Sequence, residues 1–402
     1  MISYNEAIDI VINNTDFSVK EYALIEDTIN RYLAEDIISP VNLPMFDNSA
    51  MDGYAINYLD TINATLNQPV RLKIVGEVRT GERYSRSLQR GEAIVISTGS
   101  KIPSGANAVV MKEEVDVKDN YLLVYRAVKK GENIRFRGEE IKEGRKILKM
   151  GERITPAIIG LLAQCGLRRI KVFKKPKIGF VSSGTELLEL GSRLKDFQIY
   201  NSNYYSISAL LQMNELDVNY YGIVKDNYRE IHTLLTRVLK ESEVILISGG
   251  VSVGNVDYIK DVLKKLGVRE YFFRVKMKPG KPVFFGKKRD KLIFGLPGNP
   301  VSSFVSSFLF VLPALRKMLG SKEPYHRSFE AMVAKEFIKK GDRPEFLRGI
   351  YRCDGGKLIV EPVVNQGSHM MSGLSAANCL IITEEGEQTY KRGECVRIYP
   401  LW

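Results

Sequence analysis

Glu186, Asp226 and Asp257 are the residues whose type and spacing bear most directly on chemistry. Each follows an apolar run of strand type, at residues 178–182, 218–224 and 244–248. These runs alternate with helix-like segments, a pattern that predicts a parallel sheet covered on both faces. In such a sheet the carboxyl ends of the strands share one edge, where ligands bind. Several carboxylates on that edge suit a hard cation such as Mg²⁺, which in turn suits phosphate chemistry. Complementing a helix N-terminal dipole accounts for Glu186 or Asp257 alone, and helix capping accounts for Asp226 alone. All three in register on one edge favour a site.

Anion-binding loops surround these acids. Ser248-Gly249-Gly250-Val251-Ser252-Val253-Gly254 joins a strand to a helix, and its glycines let backbone N–H groups approach an anion. It is neither a Walker loop nor a dinucleotide fingerprint. Met277-Lys278-Pro279-Gly280-Lys281-Pro282 reads as a hairpin tip carrying two cations, either solvated or clamping an oxyanion. Leu296-Pro297-Gly298-Asn299-Pro300 ends a strand and opens a helix, and either a structural turn or an anion cradle explains it. Nearer the N-terminus, the Asp52-Gly53 pair has the chemistry of a turn. Arg135-Phe136-Arg137-Gly138-Glu139-Glu140 gathers cations and acids, which by spacing alone is surface ion pairing.

The elements that must position these residues follow from periodicity. An amphipathic helix begins the chain with Ala7, Ile8, Val11 and Ile12, and residues 22–34 repeat its pattern. Short strand-like runs at 70–75, 93–97, 108–112 and 121–125, separated by glycine turns, predict a small β domain. A helix at 156–165 follows, stopped by Gly166. Helices at 202–213, 228–240, 258–266 and 301–319 separate the strands of the parallel domain. From about residue 328, short strands around Asp354-Gly355-Gly356 predict a separate β domain.

A chain of 402 residues exceeds one ordinary core, and 44% hydrophobic with 26% charged residues is a globular composition. Residues 1–12 carry Glu6 and Asp9 and no long apolar run, so no secretory leader is expected. The most apolar stretch, 304–315, is short for a bilayer and reads as a buried helix. Cys165, Cys353, Cys379 and Cys395 lack zinc or disulfide spacing, which fits a reducing compartment, and His232, His326 and His369 are dispersed. The net charge of +12 favours anionic partners (nucleic acid, acidic membrane or phosphorylated small molecules), but no helix concentrates it, so a lysine-rich solvated surface is favoured over a nucleic-acid groove and no membrane partner is expected.

Together these segments resemble one family, the molybdopterin molybdenumtransferases, or MoeA proteins, with gephyrin's E domain. The resemblance is carried by Phe46-Asp47-Asn48-Ser49-Ala50-Met51-Asp52-Gly53-Tyr54-Ala55, by residues 97–106, 133–141, 182–187, 247–258 and 278–282, and by 296–302 and Gln366-Gly367-Ser368. It spans essentially the whole chain in the family's order.

The resemblance implies a multidomain α/β plus β protein. Domain I is discontinuous and helical (1–44 and 145–174), domain II an inserted β domain (45–144), domain III a parallel α/β domain of MogA/MoaB type (175–323), and domain IV a C-terminal β barrel (324–402). It further implies a cytoplasmic homodimer whose active site lies between subunits. Asp52, Thr98, Arg135 and Glu140 would then face the partner's Glu186, Asp226 and Asp257. The implied reaction takes adenylylated molybdopterin and molybdate or tungstate, hydrolyses the adenylyl group with Mg²⁺, and releases AMP. The metal ligands would come from Glu186, Asp226 and Asp257. Substrate contacts would come from Ser248, Gly249, Gly250, Ser252, Lys278, Lys281, Pro297, Gly298, Asn299, Pro300, Ser302, Arg348 and Ser368. The adenylyltransferase of the same pathway is an implied partner.

Departures from the family pattern are Thr185, Asn107 and Asn255 where acids are common, Glu140 for Asp, and His369 after Gln-Gly-Ser. Fewer acids near the cleft bear on Mg²⁺ affinity or anion preference. Two other readings compete: an adenylyltransferase-type enzyme, opposed by the three additional domains, and a non-catalytic scaffold like gephyrin.

Overall fold

The structure, a computed structural model, describes residues 1–250 and 258–402, so Ser252, Asn255 and Asp257 lie outside the described residues. The chain forms two compact units. Residues 1–34, 151–155 and 170–402 make the first, and residues 35–150 and 156–169 the second.

The first unit is built on a seven-stranded sheet in the order Ile2–Ser3, Arg269–Lys276, Pro282–Lys288, Lys291–Leu296, Val244–Ser248, Ile178–Ser183, Val218–Val224. The last four strands pair in parallel. Register aligns Phe180 with Leu246 and Leu246 with Phe294, so one row of side chains crosses three strands. That row faces Ile207, Leu210 and Leu211 of helix Ser202–Gln212 and the long helical run through Phe308. The alternate residues Val181, Ile245, Ile247 and Ile293 face Ile231, Leu235 and Val238 of helix Tyr228–Glu241 and Ile259, Val262 and Leu263 of helix Tyr258–Lys265. Alternation along a pleated strand thus puts apolar residues on both faces, as the sequence pattern predicts.

The sheet departs from a purely parallel one. Pro282–Lys288 runs antiparallel to both its neighbours, Arg269–Lys276 and Lys291–Leu296, because the short turns at 277–281 and 289–290 leave no length for a crossover. A second expectation fails at residues 22–34. Helix Tyr4–Asn13 forms with a Ser3/Glu6 capping box, but the next apolar pattern becomes strand Lys20–Leu24 and a 3-10 turn, Ile25–Asp27. Asn30 sits at φ 61°, a left-handed conformation that stops any helical run there. Leu33 and Ala34 then donate their N–H groups to the carbonyls of Glu152 and Lys171.

Pro300–Met318 is a continuous helical run with a π turn at Ser307–Val311. By length and composition it is apolar enough to cross a membrane, yet it is 89% buried inside the protein, as a core helix must be. The C-terminal strands Phe329–Val333, Phe346–Asp354, Lys357–Pro362, Cys379–Ile382 and Cys395–Pro400 close into a barrel around Val333, Val360, Ile381 and Ile398.

The second unit carries a six-stranded sheet in the order Ala108–Met111, Gly53–Ile56, Glu92–Ile96, Val70–Val78, Tyr121–Val124, Val115–Lys118. It too is buried on both faces, with Ile56, Ala93 and Val110 on one and Ala55, Ile94 and Val109 on the other.

Leu246 is fully buried at the centre of the three-strand row. Leu246→Ala is expected to destabilise the first unit by about 2–5 kcal/mol, read from urea unfolding followed by circular dichroism. Leu66→Ala, at a side chain 81% exposed, should stay within about 0.5 kcal/mol of the parent.

Candidate functional site

The carboxyl ends of the parallel strands open into a pocket of about 710 Å³ in the first unit. Glu186, Asp226, Ser248, Gly249, Gly250, Pro297, Gly298, Asn299, Pro300 and Ser302 all line it. Residues separated by more than a hundred positions meet there because each follows the end of a neighbouring strand. Gly249 is obligatory: its φ is +85°, and a Cβ would lie 2.1 Å from the Ser183 carbonyl oxygen. The two loops therefore touch through backbone.

The two acids differ in their surroundings. Asp226 accepts from the hydroxyls of Ser183 (3.4 Å) and Thr185 (3.3 Å), and its own N–H donates to Thr185 Oγ1. Thr185 thus supplies a neutral donor where a further acid would have repelled Asp226. Glu186 folds over Gly184, where an added Cβ would meet both carboxylate oxygens at 2.7 Å. Both acids are exposed, and neither forms an ion pair among the described residues. No group of three His, Cys, Asp or Glu side chains is placed to hold a metal among the described residues, and the third expected ligand, Asp257, lies outside them.

The residues assigned to oxyanion contacts separate into three kinds. Lys281 is exposed and has no ion pair among the described residues, whereas Lys278 Nζ donates to the buried carboxylate of Glu345 at 3.0 Å. Ser368 accepts from Asn299 Nδ2 (3.2 Å) and its carbonyl receives the Val301 N–H, which joins the Gln-Gly-Ser loop to the start of the helix. Arg348 is only 1% exposed and does not line the pocket. Its Nη2 donates to the carbonyls of Asn365 and Gly367, and burial pushes its pKa down to about 10. It braces the Gln-Gly-Ser loop from behind rather than reaching into the cavity.

Sequence reasoning missed Asn201 and Asn203. Asn203 Nδ2 donates to Ser248 Oγ (2.7 Å) and to the Gly298 carbonyl (2.8 Å), tying two of the loops together. Asn201 Nδ2 donates to Ser182 Oγ and Tyr220 Oη instead of capping its helix. Two asparagines at a helix start read as caps, and only their spacing of two hinted at another use. His369 also lines the pocket.

The second unit holds the remaining residues. Asp52 Oδ1 accepts from the Thr98 N–H (2.7 Å) and hydroxyl (2.8 Å), with Lys112 at 3.8 Å. The Thr98 backbone, then its hydroxyl, then Lys112 hold the Asp52 carboxyl below the usual range. The adjoining Gly53 is more than a turn residue, since a Cβ would lie 2.0 Å from the Val110 carbonyl oxygen. Arg135 pairs in backbone register with Asn48, and the Glu140 N–H donates to the Leu43 carbonyl. Asn107 serves structure: its Oδ1 accepts from the Tyr58 N–H at 2.8 Å.

Three family profiles match this chain. The MoeA N-terminal region (domain I and II) matches residues 2–166, the probable molybdopterin binding domain 179–317, and the MoeA C-terminal region (domain IV) 330–401. The chain is 36% identical to the molybdopterin molybdenumtransferase of Haemophilus influenzae, covering 100% of this chain and 99% of that protein. It is 32% identical to the Bacillus subtilis protein of the same name, covering 99% and 93%. A crystal structure of the molybdopterin biosynthesis MoeA protein from Pyrococcus horikosii superposes with a TM-score of 0.87 at 29% identity, covering 100% of this chain and 99% of that one. End to end, and in the order of its segments, the chain belongs to the molybdopterin molybdenumtransferase family.

Proposed function

We propose that this protein inserts molybdenum, supplied as molybdate, into molybdopterin during molybdenum cofactor biosynthesis, using the adenylylated pterin and releasing AMP. The observation that carries this reading is one pocket joining Glu186 and Asp226, two carboxylates without basic partners among the described residues, to three loops suited to oxyanions. Tungstate, also a tetrahedral oxyanion, fits the same donors.

Glu186 and Asp226 suit a hard divalent cation, since both offer free oxygen donors to the pocket. Mg²⁺ held by them, with Asp257 as the third expected ligand, would neutralise phosphate charge during hydrolysis of the anhydride. The chain's own residues do the rest. The Gly250 N–H and the helix start at Ser302 donate to phosphate oxygens, while Gly249, whose own N–H is taken by the Leu296 carbonyl, lets the backbone come close. Ser302 lines the pocket and holds the oxyanion together with Lys281 and Ser368, which flank it beside the lining residues Pro282 and His369, while Lys278 shares its charge with Glu345 and Arg348 keeps the Ser368 loop in place. In this reading Asp52, Thr98, Arg135 and Glu140 complete the site from the partner subunit of a homodimer in the cytoplasm, and the pathway's adenylyltransferase supplies the substrate. The five-segment domain division belongs to the same proposal.

The test is incubation of the purified protein with adenylylated molybdopterin, Mg²⁺ and either molybdate or tungstate. AMP and metal-loaded cofactor are followed together. Oxyanion-dependent AMP release is the expected result, and no turnover with either anion from folded protein overturns the reading. Asp226→Ala and Glu186→Ala should each lower kcat/KM about 10²–10³-fold with unchanged circular dichroism. Parental activity in both would remove these acids from the reaction.

Asp52 supplies a pH prediction. Its carboxyl titrates below the ordinary aspartate value, so whatever depends on its charge is present above that value and is lost as pH falls through the lowered one. In an NMR titration, Asp52 should show a midpoint below that of an unperturbed aspartate. Thr98→Val should raise it only part of the way, because the backbone donor remains.

A further inference from the structure

A second cavity in the first unit, of about 720 Å³, shares no lining residue with the first. Its walls come from residues 30–32 and 151–153, the end of helix Leu312–Met318, and the linker at 321–329. Four basic side chains line it: Arg153, Arg316, Lys322 and Arg327. Glu152, Glu215 and Glu323 line it too, but Glu215 already accepts from Asn30 and stands 3.7 Å from Lys175.

Arg316 sets the chemistry. Its guanidinium is largely desolvated and has no carboxylate partner among the described residues. Its hydrogen bond runs from Nη1 to His326 Nδ1 at 3.4 Å. His326 Nε2 lies 2.6 Å from the Phe308 carbonyl and so carries the proton, and the ring stacks on Phe308 at 3.7 Å. Burial and the neighbouring Arg316 push His326 down to about 3, so it stays neutral and leaves the arginine's charge uncancelled.

A second guanidinium, Arg153, lies close enough to repel the first, and its own partner is the neutral Oδ1 of Asn30 at 2.9 Å. Lys322 folds its stem over Gly151, where φ is +82° and a Cβ would lie 2.9 Å from Lys322 Cγ and Cε. The half-buried Arg316 guanidinium, meeting a neutral partner and the exposed Arg153 beside it, is costly to hold charged unless an anion lies against it. Each offers several N–H donors, and the planar fork matches tetrahedral oxyanions.

We propose that this cavity is an anion site, separate from the strand-end pocket, that binds a phosphate-class oxyanion between Arg316, Arg153 and Lys322. The oxyanion is either free phosphate or the monoester end of a nucleotide, for which the cavity has room.

The test is calorimetric titration of the full chain with inorganic phosphate and, separately, with AMP, repeated on Arg316→Gln and Lys322→Ala. Crystals soaked with each probe locate it. Binding that weakens about tenfold or more in both variants, with density beside Arg316, is expected. For the binding that Lys322→Ala weakens, tighter binding of AMP than of phosphate identifies a nucleotide end, and equal or weaker binding identifies the free anion. Lys322 is exposed on the rim, so Lys322→Ala decides the matter if Arg316→Gln fails to fold. Unchanged affinity for both probes in Lys322→Ala, or density confined to the strand-end pocket, overturns the proposal.

Discussion

The central loops of the strand-end pocket hang from three strands, Ile178–Ser183, Val244–Ser248 and Lys291–Leu296, that are buried on both faces, and their register is the constraint on which the site depends. Phe180, Leu246 and Phe294 form one row against the helices on one side, while Val181 and Ile247 pair on the other. Because the side-chain period of a strand is two, a slip of one residue would exchange the two faces. Both faces are apolar, so what such a slip would break is the fit of particular side chains. It would also move Gly249 away from the Ser183 carbonyl that only a glycine can approach. Packing far from the pocket therefore decides which backbone N–H groups point into it.

On that frame the electrostatics are arranged by neutral groups more than by ion pairs. Asp226 is held by two hydroxyls and Asp52 by a backbone N–H and a hydroxyl, contacts that orient a carboxylate without cancelling its charge. Glu186 has no basic partner among the described residues despite a chain charge of +12. Such acids remain available to a cation. The basic groups near the turn at 277–281 are divided, with Lys278 engaged by Glu345 and Lys281 left exposed. The second cavity reverses this arrangement, for there the guanidinium groups are the ones that meet neutral partners.

The second unit repeats the logic with different parts. Asp52 precedes strand Gly53–Ile56 and Thr98 follows strand Glu92–Ile96, which are adjacent and antiparallel, so the start of one meets the end of the other. Gly53 permits the close approach of Val110 that keeps this sheet edge tight.

By itself the sequence determined the elements with strong local patterns. These are the first helix, the apolar strands with acids or glycines at their ends, the buried run at 304–315, and the motifs that carry the family resemblance. Those features depend on neighbours a few residues away, which periodicity reports. Tertiary structure alone decided the strand at Lys20–Leu24, the antiparallel edge of the sheet, the withdrawal of Arg348 behind its loop, the Lys278–Glu345 pair and the cross-loop bonds of Asn203. Each of these turns on a partner far away in the chain. An arginine's donors read the same in sequence whether they meet a ligand or the carbonyls of Asn365 and Gly367, and only folding settles which lies within reach.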